Sequence, residues 1–283
     1  MPTLSAITLY PIKSCAGLSL EEATLTPLGL MTAQIYDREW MVVDENGLAM
    51  TQREHPRMAL IKPAIKGSTL EVQAPGMLRL EIPLGLPDPS AAPTLQTQVW
   101  DDAVLAYDCD ALTAEWFTKA IGVPCRLARF HANAKRAVST TWTDGVQATT
   151  MFSDGYPMLV AGTASLDDLN QKLVAAGRAA IPMNRFRPNL VIDGIEAFEE
   201  DYAESFQIGE VVLKPVKPCP RCPMPPIDQA TGEFGPDPLD IMQSYRAKPE
   251  LEGALCFGMN SILIAGADQR VRVGQEIEVT LAF

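Results

Sequence analysis

The chain has 283 residues, 47 % of them apolar and 20 % charged, enough for one large or two ordinary globular domains with a buried core. Its 35 acidic residues against 23 basic ones give a formal charge of −12, which argues against nucleic acid or an anionic membrane as the main partner. No run approaches the roughly 18 apolar residues of a membrane span, no basic segment precedes an apolar run at the N-terminus, and four of the six cysteines are dispersed; a cytoplasmic chain with reduced thiols and no membrane span is expected.

The first hundred residues read as short strands over Leu4–Leu9, Leu20–Leu25, Trp40–Val43, Leu60–Lys62, Thr69–Val72 and Val99–Tyr107, the last crossing a turn at Asp101-Asp102. Turn residues separate them, and Asn46-Gly47 is a hairpin signal, so a barrel or sandwich is expected. Asp110 is a candidate cap for a helix whose apolar face carries Leu112, Trp116, Phe117, Ala120 and Ile121, ended by Gly122 and Pro124. That helix marks a junction, dividing the chain into 1–121 and 122–283.

In the second part, Cys125–Phe130 and Pro157–Ala161 read as apolar strands. Ser165-Leu166-Asp167-Asp168 follows as a capping-box pattern, and Leu166, Leu169, Leu173 and Val174 repeat at helical spacing, predicting a helix over 165–176. Leu190–Ile192, Val211–Val216, Ser261–Ala265 and Glu276–Leu281 read as further strands. The fold class is mixed α/β and mostly β.

Cys219-Pro220-Arg221-Cys222 is the one close cysteine pair. Structural zinc wants four N/S ligands, but no second pair exists and only His55 and His131 offer imidazoles. A thioredoxin-like motif opens a helix, which Pro218, Pro220, Pro223, Pro225 and Pro226 disfavour; haem attachment needs His where Pro223 stands. Two readings remain: a proline-bounded loop offering a thiolate beside a guanidinium as a soft-metal ligand, or two partly buried cysteines in a turn.

Several further segments stand in a fixed order: Leu9-Tyr10-Pro11-Ile12-Lys13-Ser14-Cys15, Asp37-Arg38-Glu39-Trp40, Ala164 to Asn170, Phe186-Arg187-Pro188-Asn189, Ala197 to Asp201, Cys219 to Cys222, Ser244-Tyr245-Arg246 and Phe257-Gly258. With them the chain resembles the MOSC family over nearly its whole length. The resemblance is to the two-part amidoxime-reducing-component and YcbX type, in which an N-terminal MOSC β-barrel domain precedes the MOSC domain. It implies a molybdenum cofactor, a molybdopterin, in a cleft between the two parts.

By that resemblance the metal ligand and catalytic residue is Cys222, directly after Arg221, whose guanidinium would sit beside the thiolate. Lys13, Ser14, Arg38, Arg187, Asn189 and Arg221 match cofactor-contacting positions, and Asp154, Gly155 and Asn260 fall near others. Where the family has tyrosine after Phe-Gly-x, this chain has Asn260. The physics agrees, because a phosphate wants guanidinium or ammonium donors and a dithiolene-held metal wants a soft ligand.

The implied activity is reduction of small N-hydroxylated compounds by oxygen-atom abstraction. No flavin or nicotinamide fingerprint and no second cysteine cluster for an iron–sulfur centre is present, so electrons would come from a separate ferredoxin, flavoprotein or b-type cytochrome chain. Asp228 and Glu233 are candidate proton sources or plain turn residues. Two rival functions share these residues: a non-catalytic carrier of the cofactor, and a sulfur carrier with a persulfide on Cys222.

Overall fold

The computed structural model describes residues 1–282 as twenty strands and three α-helices, a mostly β fold. Nine strands form the largest sheet, in which Thr3–Leu9 lies antiparallel to Leu190–Asp193 and Leu190–Asp193 lies parallel to Met158–Gly162. The sheet continues through Ala254–Ala265, Val211–Pro220 and Ala203–Ile208 to Glu278–Leu281. The chain's first strand is therefore hydrogen-bonded into a sheet otherwise built mainly from its second half.

The exchange runs the other way too. Arg126–Phe130 pairs with Trp40–Val43, and Arg270–Arg272 pairs with Glu22–Thr26. The largest core spans both halves, from Leu4, Ile7, Leu25 and Trp40 to Phe206, Leu213 and Val271. Trp40–Val43 is buried at every position, so its side chains are covered on both faces.

The helix Ala111–Ile121 forms as its ends dictate. Asp110 accepts from the Thr113 amide at 2.9 Å, and Gly122 takes the left-handed φ of 96° that ends the helix. Trp116, Phe117, Ala120 and Ile121 are buried, but Leu112 is 67 % exposed and does not belong to the apolar face. The turn at Asn46-Gly47 is also as expected, with Asp44 and Leu48 hydrogen-bonded across it and Gly47 at φ 80°.

The second helix spans Thr163–Ala175 and starts earlier than its sequence suggests. Ser165 is not its cap: the buried hydroxyl donates to Glu200 at 2.7 Å and accepts from the Phe198 amide at 2.8 Å, so a contact more than thirty residues away outbids the local one. Leu169 and Leu173 are fully buried, each side chain contributing about 1.5–3 kcal/mol, while Val174 stays exposed. They pack with Phe186 and Phe257, whose rings stack at 3.9 Å.

Several strand expectations shift: Leu20–Leu25 divides into Leu18–Leu20 and Glu22–Thr26, and the strand expected from Ser261 starts at Ala254. Leu60 ends the 3-10 turn Pro56–Leu60, and the strand runs Lys62–Lys66. Val211–Pro220 continues four residues past Val216, through three prolines. Proline cannot donate to a ladder, so its pairing with Ala254–Ala265 slips between Pro215 and Lys217 and again between Pro218 and Pro220. Cys219 thus ends a strand, and only Cys222 lies in the loop beyond.

Candidate functional site

The ends of these elements enclose one solvent-open cleft. Lys13, Ser14, Arg38, Asp154, Gly155, Arg187, Asn189, Arg221, Cys222 and Asn260, the ten residues singled out in the sequence, all line it. So do Thr51, Arg53, Tyr156 and Cys219, for which the sequence offered no signal except at Cys219.

Three polar residues of the lining, Ser14 (φ 63°), Arg38 (φ 52°) and Arg187 (φ 55°), hold left-handed backbone without being glycine. Such conformations persist only where surrounding contacts impose them. Here the Arg38 amide donates to the Tyr10 carbonyl at 2.7 Å, and Gln52 donates to the Ser14 carbonyl at 2.7 Å. Gln52 and Gln229 also exchange side-chain amide bonds at 3.1 and 2.9 Å, tying the Ser14 turn to the segment beyond Cys222.

Tyr10 is the buried platform under the cations. The guanidinium carbons of Arg38 and Arg187 lie 4.3 and 4.2 Å from its ring centroid. Asp37, 1 % exposed, ion-pairs with Arg38 and accepts from the Tyr10 amide at 2.8 Å; burial pushes its carboxyl pKa up, and Arg38 opposes that. In sequence Tyr10 stands in the Leu9–Cys15 segment without a role of its own.

Asn189 is the clasp between the halves. Its amide nitrogen donates to the Thr8 carbonyl at 3.1 Å and to Asp37 at 3.0 Å; its oxygen accepts from Arg38 at 3.2 Å and from the Leu159 amide at 3.1 Å. Both protons and both lone pairs are used. The side chain borders the cleft with nothing left to offer a ligand, which makes it a positioning residue.

Arg187 differs. It is buried, its Nη1 reaches Gln229 at 3.5 Å, and its Nη2 has no partner among the described residues. Burial, reinforced by Arg38, pushes its pKa down from the usual value, yet a guanidinium stays charged. Arg221 is similar: Nη2 donates to the Phe186 carbonyl at 2.8 Å, and Nε is buried without a partner among the described residues. A buried charged donor left unpaired is costly, and a bound anion removes the cost.

Lys13 donates to the Phe152 carbonyl at 2.9 Å and pairs with Asp154 at 2.5 Å. Burial pushes the ammonium's pKa down, with Asp154 opposing, and Lys13 holds the carboxyl of the exposed Asp154 below the usual carboxylate range. The Ser153 and Asp154 carbonyls are gripped from beneath by buried Arg136.

The cysteine pair is arranged differently from expectation. Arg221 Nη1 donates to Cys219 Sγ at 3.0 Å, so the guanidinium serves the first thiol and not the second. Cys222 has no side-chain partner among the described residues; its carbonyl accepts from Met224 at 2.7 Å. The loop beyond is anchored by buried Arg185, which donates to the Pro225 and Pro226 carbonyls and pairs with Asp228 at 2.8 Å.

Asp228 is therefore engaged as a turn residue. Amide donors from Ala230 and Thr231, with Arg185, hold its carboxyl below the usual range, and neither it nor exposed Glu233 lines the cleft. Among the described residues no group of three or more His, Cys, Asp or Glu side chains is placed to hold a metal ion. A metal here would need ligands brought by another group.

Five basic side chains, Lys13, Arg38, Arg53, Arg187 and Arg221, converge on a cleft with an unpartnered thiol at its edge, in a chain of net charge −12. Such a concentration of basic side chains suits an anionic ligand. The MOSC N-terminal beta barrel domain matches residues 1–124 and the MOSC domain matches residues 147–278, and the chain belongs to this MOSC family.

It is 34 % identical over 248 residues to mitochondrial amidoxime reducing component 2 of Bos taurus, covering 86 % of this chain and 72 % of that one. Mitochondrial amidoxime-reducing component 1 of Mus musculus is 34 % identical over 257 residues, 89 % and 74 % of the two chains. Molybdenum cofactor sulfurase of Bos taurus is 33 % identical over 254 residues, 85 % of this chain and 28 % of that longer one. Gly258, within the Phe257-Gly258 pair, carries φ 74°, and a side chain there would meet the Val160 carbonyl at 2.7 Å.

Proposed function

We propose that this chain holds a molybdenum cofactor in the cleft, with Cys222 as the metal ligand, and reduces small N-hydroxylated compounds with electrons from a separate electron-transfer protein. The observation that carries the reading is the pair of buried guanidinium nitrogens, on Arg187 and Arg221, that lack a partner among the described residues in a cleft also lined by Cys222. Two of the relatives named above are amidoxime reducing components, and a third is a molybdenum cofactor sulfurase.

The residues fit the group. Lys13, Arg38, Arg53, Arg187 and Arg221 offer donors for a phosphate, and Ser14, Gly155 and Asn260 line the same cleft. Cys222 offers a soft sulfur with no side-chain hydrogen bond among the described residues, whereas the Cys219 sulfur is taken by Arg221. When bound, the cofactor would supply two-electron abstraction of oxygen from an N–O bond. The chain's part is to bind and orient: Tyr10 and Asp37 fix Arg38, Gln52 and Gln229 fix the Ser14 turn, and Asn189 fixes the distance between the two halves of the wall.

The chain purified from a host that makes the cofactor is expected to carry about one molybdenum per chain and to turn over an amidoxime with an artificial electron donor. Absence of molybdenum removes the reading. The likeness to a sulfurase supports a second reading, a persulfide on Cys222; sulfur transfer by metal-free protein would favour it, and molybdenum without turnover would favour a carrier.

A further inference from the structure

A second cavity opens beside the cleft and shares Asp154, Gly155 and Tyr156 with it; Trp100, Trp142 and Lys217 form part of its wall. Trp100 and Asp101 make the two-residue turn of a hairpin in which Val99 pairs with Asp102. The first position of such a turn calls for positive φ and is normally held by Gly, Asn or Asp. Here Trp100 holds it at φ 54° with 53 % of its surface exposed. Neither turn chemistry nor burial accounts for an indole at that point, and an outlier of this kind is a pointer to function.

Both indoles are tied to the cleft. Arg53, a cleft residue, lies over the Trp100 ring at 4.6 Å. Trp142, half-buried at the end of the turn Thr140–Trp142, has Lys217 Nζ 5.4 Å from its ring centroid, and Lys217 sits opposite the cleft residue Asn260 in the strand pairing. The two rings thus border one cavity that has Asp154, Gly155 and Tyr156 in common with the cleft lining.

We infer that this cavity is the substrate entrance and that it selects planar aromatic N-hydroxylated compounds, such as aryl amidoximes, with the aryl ring against Trp100 and Trp142 and the N–O end towards Cys222. The N–O part rests on the function proposed above; the aromatic selection rests on the two indoles. Indole offers a large rigid face, so an aryl ring gains stacking that an alkyl chain of the same polarity does not.

The test is calorimetric titration of the chain purified from a cofactor-competent host, and of its Trp100→Gly and Trp142→Ala variants, with benzamidoxime and acetamidoxime. Glycine takes the φ of position 100 without strain, so that variant is not at risk of misfolding. Benzamidoxime is expected to bind the unmodified chain more tightly than acetamidoxime, and each variant to lose benzamidoxime affinity about fivefold, the scale of one stacking pair, with acetamidoxime unchanged. Equal binding of the two ligands by the unmodified chain, or full benzamidoxime affinity in both variants, overturns the inference. Failure of molybdenum-loaded protein to turn over either amidoxime counts instead against the proposed reaction, because the titration reads binding alone.

Discussion

Arg221 donates to the sulfur of Cys219 at 3.0 Å, and this bond separates two cysteines that look equivalent in sequence. Cys219 closes a strand and is already partnered, while Cys222 lies in the loop with its sulfur free of side-chain contacts among the described residues. The guanidinium holds the strand end, and the second thiol is left to a ligand.

Arg187 is buried with one nitrogen unpaired among the described residues, so its charge costs stability without a ligand, and a bound anion offsets that cost. Arg187→Ala is expected to lower molybdenum retained after dialysis, since a charge-assisted bond of about 1.5–3 kcal/mol corresponds to roughly tenfold or more in affinity. Its melting temperature without cofactor should be unchanged or higher. Full retention of molybdenum would show that the residue does not bind the cofactor.

Asn189 should behave in the opposite way. Its four hydrogen bonds join Thr8, Asp37, Arg38 and Leu159, so Asn189→Ala leaves buried groups on both halves unpaired. A loss of about 2–3 kcal/mol in urea unfolding is expected. Unfolding at the unmodified denaturant midpoint would mean that the clasp contributes nothing.

Much of this site is written in local sequence. Lys13, Arg38, Arg187 and Cys222 stand in short polar or proline-bearing segments beside apolar strands, and all four reach one cleft. What is not local was not legible. Tyr10 stands in the Leu9–Cys15 segment, but nothing nearby reveals that two arginines from positions 38 and 187 come to rest on it. The left-handed backbone of Ser14, Arg38 and Arg187 is imposed by distant contacts, not by residue type. Ser165 misleads because Glu200 and Phe198, not its own helix, take its hydroxyl. Likewise Thr3–Leu9 carries the alternation of a strand but no mark of its partner at Leu190–Asp193.

The thiols give a further check. All six cysteines are free. Burial pushes the Cys15 and Cys109 thiols up to about 12 and Cys256 up to about 11, and raises Cys125 as well, so all four stay protonated and unreactive at pH 8. Folded protein without cofactor, treated with iodoacetamide at pH 8, should therefore be modified rapidly only at Cys219 and Cys222, as read by peptide mass spectrometry. Rapid labelling of Cys15 or Cys256 would contradict the burial described here.

The central claim, that Cys222 holds the metal, is tested most directly by molybdenum content measured alongside amidoxime turnover in Cys222→Ser and Cys219→Ser. A serine hydroxyl is a harder ligand and far less ionised at neutral pH than a thiol. Cys222→Ser is expected to fall to background turnover. Cys219→Ser should keep most of its activity and its molybdenum, because the Arg221 bond it loses supports the strand end and not the metal. Loss of turnover in Cys219→Ser with Cys222→Ser unaffected would contradict the assignment, and full activity in both would remove cysteine ligation from the mechanism.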